Sequence, residues 1–210
     1  MREKADSDLV RRQNRLLLME ALRQHGPMAR VAMGRHTGLS PASITSISSQ
    51  LIADGILEEA EDGAPAEGPQ RRGRPVTQID FNPTCANVVA VKISIDGLEL
   101  ALADGRGAIL ARRVARTSTY ESEPDAFGKL VADEITALLA SARTPARRVA
   151  RIGIAVQGVA DSQAGAVVWS PAFRRRNISV SAGIEKRLGI PCRVANDANM
   201  IAEGLIGIDR

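Results

Sequence analysis

Two short helical patterns meet at Thr37-Gly38-Leu39-Ser40, and that tetrapeptide restricts the path of the chain more than any other stretch. Gly38 can take the positive φ that closes a first helix, and Ser40 can cap a second with Pro41 in its first position, where no amide donor is missed. Ile44, Ile47 and Leu51 then recur at helical spacing and predict an inner face. The opposite face carries Ala42, Ser43, Thr45, Ser46, Ser49 and Gln50, short groups able to reach base edges in a major groove. Upstream, Leu17, Leu18, Ala21 and Leu22 predict an amphipathic helix that stops at His25-Gly26-Pro27. Met28 to Leu57 therefore has the outline of a helix-turn-helix.

The residues that follow extend it into a winged helix-turn-helix. Gly55-Ile56-Leu57 begins an apolar strand, the Gly/Pro-rich stretch from Glu61 to Gly73 forms a tip, and Pro75 to Ile79 reads as the returning strand. Arg71, Arg72 and Arg74 fall on or beside the tip, where guanidinium groups can enter a minor groove or bind phosphates. From Ser40 to Asp54 there is no Lys or Arg, so the phosphate contacts that usually dominate affinity must come from elsewhere. Arg11, Arg12, Arg15, Arg30, Arg35 and the wing arginines are the candidates. The candidate DNA contacts are thus Arg30, Arg35, Ser40, Ala42, Ser43, Thr45, Ser46, Ser49, Gln50, Arg71, Arg72 and Arg74. The competing arrangement is a plain helical hairpin followed by a charged linker.

Composition sets the outer limits. The 210 residues, 44% of them hydrophobic, are enough for a small module and a larger domain with its own core. A net charge of +4 suits a polyanion such as double-stranded DNA, and 2% aromatic residues argue against a stacking platform for single strands. Cys85 and Cys192 are the only cysteines, too far apart for a metal pair of short spacing, and both read as half-buried thiols; no metal and no cofactor is expected. The charged start and the lack of a long apolar run predict a cytoplasmic protein with no membrane partner.

From Phe81 the pattern changes to strands, giving expected domains of 1–80 and 81–210. Val88 to Ile95 and Leu98 to Ala103 flank Asp96-Gly97, a hairpin signal, and Ala108 to Val114 predicts a third strand. A helix is predicted from Pro124 to Ala142 with Phe127, Leu130, Val131, Ile135, Leu138 and Leu139 inward, then a strand from Val149 to Val156 and a helix from Val180 to Leu188. Hairpins followed by alternating helix and strand indicate an α/β domain with a mixed sheet. Trp169 and Tyr120 read as packing residues, His25 and His36 as surface residues, and Arg174-Arg175-Arg176 as a solvated loop.

Three segments, RRGRPVTQIDFNP at Arg71 to Pro83, RIGIAVQGVADSQAGAVVWSPAF at Arg151 to Phe173 and GIPCRVANDANMIAEG at Gly189 to Gly204, resemble the ROK family of sugar-responsive repressors and sugar kinases. The Thr37-Gly38-Leu39-Ser40 turn is similar to the DNA-binding module of that family's repressors. The resemblance implies that the second domain is the first lobe of an actin-like, ribonuclease-H-like sugar kinase fold. It implies a transcriptional regulator, a repressor of carbohydrate-related genes responsive to a sugar or sugar phosphate and acting as a homo-oligomer. The alternatives are a ROK-type sugar kinase and a non-catalytic partner of a full-length relative. Kinases of the family hold nucleotide phosphates on an Asp and a Gly-Gly-Thr loop, whereas Lys92-Ile93-Ser94-Ile95-Asp96 stands here. No enzymatic activity is therefore expected.

The resemblance also marks Ser170, Asn196 and Asp197 as sugar contacts, because a carboxylate can accept hydrogen bonds from neighbouring hydroxyls whether or not phosphate is transferred. Taken by themselves, Asn196 and Asp197 would equally well cap a helix beginning near Ala198. Ala172 and Gln157-Gly158 depart from the family's usual Asn and Pro-Gly. Family members are longer, so this chain is expected to supply one wall of a two-lobed cleft and to leave apolar surface open to self-association.

Overall fold

The computed structural model describes residues 2–60 and 77–200. The chain divides into two compact units between Cys85 and Ala86.

The first unit comprises α1 (Arg2–His25), β1 (Met28–Ala29), α2 (Arg30–Thr37), α3 (Pro41–Ala53), β2 (Leu57–Ala60) and β3 (Gln78–Phe81). Gly38 closes α2 in the left-handed region with φ 71°, its N–H donating to the Gly34 carbonyl. Thr37 reinforces the turn: its Oγ1 donates to the Met33 carbonyl at 2.7 Å and accepts the Leu39 N–H at 3.3 Å. Ser40 then caps α3, its Oγ accepting the Ser43 N–H at 3.2 Å ahead of Pro41 at the helix start. Leu18, Leu22, Met28, Met33, Ile44, Leu51, Leu57 and Ile79 form the core of this unit.

One element escaped the sequence pattern. Met28 and Ala29 pair antiparallel with Ile79 and Gln78, so a three-stranded sheet of order β1-β3-β2 backs the helices. A two-residue strand has no period of its own, and only its partner defines it. The unit also continues beyond the expected limit at residue 80, because Phe81 pairs with Leu57 and Asn82 donates from its N–H to the Ile56 carbonyl and from Nδ2 to the Gly55 carbonyl, both at 2.9 Å.

The second unit is built on β4 (Asn87–Ser94), β5 (Gly97–Ala103), β6 (Ile109–Arg116), α4 (Pro124–Ser141), β7 (Val149–Val156), β8 (Val159–Asp161), β9 (Ala166–Trp169), β10 (Ile178–Ser179), α5 (Ser181–Leu188) and β11 (Cys192–Asn196). Its main sheet has the order β11-β7-β4-β5-β6. β4, β5 and β6 are antiparallel, whereas β4, β7 and β11 run parallel, as the hairpin-then-alternation pattern requires. β8, β9 and β10 form a separate antiparallel sheet that the sequence pattern did not reveal.

Along β4 the buried residues Val89, Val91 and Ile93 alternate with exposed Val88, Ala90 and Lys92, so one sheet face carries the core. Phe127, Val131, Ile135, Leu138 and Leu139 of α4 fill that core, with Phe127 meeting Phe173 edge-on at 4.8 Å between ring centroids. α4 and α5 approach through Gly128 and Gly183: a Cβ on Gly128 would lie 2.8 Å from the Val180 carbonyl oxygen and 3.0 Å from the Gly183 Cα.

Three environments differ from expectation. Trp169 is 45% and Tyr120 42% exposed, so neither is a packing residue, and Cys85 is exposed rather than half-buried. Trp169 ends β9, and Tyr120 and Cys85 lie in the loops between β6 and α4 and between β3 and β4, where solvent reaches a side chain whatever its hydrophobicity.

Candidate nucleic-acid interface and ligand site

The exposed side of α3 presents small groups. Ala42, Thr45, Ser46, Ser49 and Gln50 are exposed with Ser40, while Ser43 is half-buried beside the cap. Several are already engaged: Ser40 and Ser43 share a hydroxyl hydrogen bond of 2.9 Å, and Thr45 Oγ1 donates to the Pro41 carbonyl at 2.9 Å. Gln50 Nε2 donates to Asp54 Oδ1 at 2.9 Å, and Asp54 Oδ2 accepts from Arg15 at 3.3 Å. The Gln50 amide is thereby held on one side by Asp54, with its carbonyl oxygen left to accept. Among the described residues Ser46 and Ser49 make no side-chain hydrogen bond. Short side chains have little reach, so any partner they read must come close to the helix backbone.

Around this face, Arg35 is exposed in the last turn of α2. Arg30, at the start of α2, is half-buried and differently placed: its Nε donates to Ser48 Oγ at 3.0 Å and its terminal nitrogen lies 3.6 Å from Glu59. Ser48 is fully buried, a position that the apolar spacing of α3 did not single out. His25 and His36 are exposed and stack on each other at 4.0 Å. Arg71, Arg72 and Arg74 lie outside the described residues.

In the second unit, the turn after β7 and the ends of β9 and β11 converge. Gly158 adopts φ +119°, and a Cβ there would collide with the Trp169 carbonyl oxygen and come within 2.9 Å of the Ser170 Cα. Asn196 Nδ2 donates to the Gly158 carbonyl at 2.6 Å. The structure therefore brings Gln157-Gly158, Ser170 and Asn196 together at the carboxyl ends of two parallel strands, where open α/β sheets commonly bind ligands. Asp197 follows at the first turn of a helix and is half-buried.

The candidate residues here make local structural hydrogen bonds. Asn196 Oδ1 accepts the Asn199 N–H at 3.1 Å, the geometry of an N-cap, and Asp197 Oδ1 accepts the Ala198 N–H at 2.9 Å. Ser170 is buried, its Oγ accepting the Ala172 N–H at 3.1 Å. Sequence reading missed Thr119, whose buried Oγ1 lies 2.9 Å from the Ser94 carbonyl and 2.8 Å from the Ala172 carbonyl. It joins the end of β4 to the loop after Ser170, and nothing in local spacing signals such a tie.

The β4–β5 turn is tight. Ser94 Oγ donates to the Gly97 carbonyl at 3.2 Å, and a Cβ on Gly97 would collide with the Ala115 carbonyl oxygen. Arg174 and Arg175 pair with Glu121 at 3.4 Å and Glu123 at 2.8 Å, so two charges of the arginine run are partly offset. Burial pushes the Cys192 thiol up to about 11, which holds it protonated near neutral pH. Among the described residues there is no cluster of three or more His, Cys, Asp or Glu able to hold a metal, and no helix long and apolar enough to cross a membrane.

Comparison with known proteins places these features. The chain is 24% identical over 200 residues to the xylose repressor of Bacillus subtilis (strain 168), covering 95% of this chain and 50% of that one. It is 23% identical over 195 residues to the DNA-binding transcriptional dual regulator NagC of Escherichia coli (strain K12), covering 93% and 46%. The chain thus spans about half the length of the curated relatives it matches. A solved ROK family transcriptional regulator, described as a homolog of the E.coli MLC protein, superposes with a TM-score of 0.70 at 26% identity, covering 93% of this chain and 48% of that one. The mixed α/β sheet is accordingly that of the solved ROK regulator. Residues 88–207, more than half of the chain, match the ROK family profile, and the chain belongs to the ROK family.

Proposed function

We propose that this chain is the DNA-binding and ligand-sensing part of a sugar-responsive transcriptional repressor. Residues up to Phe81 act as a winged helix-turn-helix: α3 enters the major groove of double-stranded DNA, and the segment between β2 and β3 is the wing. The observation that carries the reading is the Gly38 closure and Ser40 cap, which set α3 against the β1-β3-β2 sheet with its small polar face outward. The names of the relatives, a xylose repressor and NagC, agree with it.

In this proposal Ser40, Ala42, Ser43, Thr45, Ser46, Ser49 and Gln50 face the bases, while Arg35 and the wing arginines Arg71, Arg72 and Arg74 supply phosphate or minor-groove contacts. Ser170, Asn196 and Asp197 hold sugar hydroxyls. Phosphoryl transfer is not part of the proposal, because Lys92-Ile93-Ser94-Ile95-Asp96 stands where the family's kinases carry an Asp and a Gly-Gly-Thr loop. The sugar shifts DNA occupancy only through different affinity for two arrangements of paired reading modules. A dimer would read half-sites about 34–36 Å apart or a multiple of that spacing.

The test is selection of bound sequences from a randomised duplex library, followed by affinity measurements over a salt series with and without D-xylose or N-acetylglucosamine. Enrichment of one two-fold sequence and its release by one sugar supports the reading; binding indifferent to sequence overturns it.

A further inference from the structure

The geometry points to Arg30 as a positioning residue that locks the base-reading helix to the strand leading into the wing, rather than as a contact to DNA phosphate. This inference rests on the DNA-binding reading above. Arg30 opens α2, its Nε donates to Ser48 Oγ at 3.0 Å, and its terminal nitrogen lies 3.6 Å from Glu59 Oε1 on β2. One guanidinium carried by α2 therefore meets two other elements, α3 and β2.

The Ser48 end is the anchor. Ser48 is fully buried and its Oγ donates to the Thr45 carbonyl at 3.3 Å, so the guanidinium grips the turn of α3 whose outer side carries Thr45, Ser46 and Ser49. Losing the donor would leave a buried hydroxyl without its charged partner, a cost that a surface contact does not carry. The planar fork of arginine can address acceptors in two directions, which a lysine ammonium on a flexible stem cannot reproduce. Glu59 offsets the charge nearby, so Arg30 adds less to the attraction of phosphate than an unpaired arginine would. Its effect on binding should therefore come through the placement of α3 relative to β2, read as discrimination between sequences.

The experiment uses the full chain with a duplex selected by it from a randomised library, and a scrambled duplex of the same composition. Affinities for both are measured over a KCl series for the wild type, Arg30→Gln, Arg30→Lys, Ser48→Ala and the Arg30→Gln/Ser48→Ala double variant, with circular dichroism melts to confirm folding. Each single variant is expected to lose about tenfold in affinity for the selected duplex, with the scrambled duplex and the salt slope unchanged and the double variant no worse than the weaker single. Ser48→Ala keeps every arginine, so its loss cannot be a missing phosphate contact, and it carries the test if Arg30→Gln fails to fold. Equal loss on both duplexes with a slope smaller by about 0.9 identifies a phosphate contact and overturns the inference. Unchanged discrimination in Ser48→Ala or in Arg30→Lys overturns it as well. A wild-type chain that enriches no duplex overturns the DNA-binding reading itself, and with it this inference.

Discussion

The Asn196 side-chain amide donates to the Gly158 carbonyl at 2.6 Å while its oxygen accepts the Asn199 N–H at 3.1 Å. One side chain thus joins the end of β11 to the turn after β7 and starts the helix at Asp197. Structural support by Asn196 and the ligand contact proposed for Asp197 can be separated by mutation. Asn196→Ala removes a cap and a half-buried tie, and should cost about 1–3 kcal/mol in urea unfolding. Asp197→Ala should cost less, about 1 kcal/mol, the usual limit for an acid in the first turn of a helix, yet abolish calorimetric binding of the sugar that releases DNA if the proposed ligand role holds. Equal destabilisation with sugar binding intact in Asp197→Ala would count against the ligand role.

The cap at the turn makes its own prediction. Ser40→Ala loses the Oγ acceptor for the Ser43 N–H and should lower stability by about 1 kcal/mol, whereas Ser40→Asp should restore most of it. Thermal melts of the two variants against wild type provide the comparison. An Asp variant as unstable as the Ala variant would show that Ser40 contributes something other than capping.

Gly128 and Gly183 place two helices closer than any side chain permits. Gly128→Ala puts a Cβ 2.8 Å from the Val180 carbonyl, and should destabilise the second unit by about 1–3 kcal/mol. The expected signature is a lower urea midpoint. Gly107, where a Cβ meets nothing within 4 Å but φ is +86°, is the control for strain without crowding.

Replacing Arg71, Arg72 and Arg74 together by Ala should weaken binding to every duplex alike. If all three meet phosphates, the salt slope should fall by about 2.7, at about 0.9 for each contact. Fluorescence anisotropy over a KCl series reads both quantities. Unchanged affinity would remove the wing from the interface.

Thiol chemistry separates the two cysteines. At pH 8 a thiol reagent should label exposed Cys85 rapidly, and Cys192, held up to about 11 by burial, only slowly or on unfolding. The sign of the linkage follows from burial favouring the neutral thiol. This contribution is fully present below the ordinary value of 9.0 and is lost as pH rises toward about 11, so the melting midpoint should fall across that window. Mass spectrometry of labelled peptides checks the order of reaction.

What the sequence determined by itself is local. The Thr37–Pro41 turn, the α4 stripe of Phe127, Val131, Ile135 and Leu138, and the Asp96-Gly97 hairpin rest on interactions within a few residues, where glycine φ, caps and apolar period act without distant partners. Tertiary structure alone decided the rest. β1 exists because β3 lies beside it, Ser48 meets Arg30 only because α2 and α3 come together, and Gly158 meets Asn196 only after β7 and β11 pair. Arg30 reads from sequence as one more basic residue near a DNA-binding helix, and its committed hydrogen bond appears only when residues 18 positions apart come together. Such contacts leave no periodic trace, since each depends on how remote surfaces fit rather than on the order of neighbouring residues.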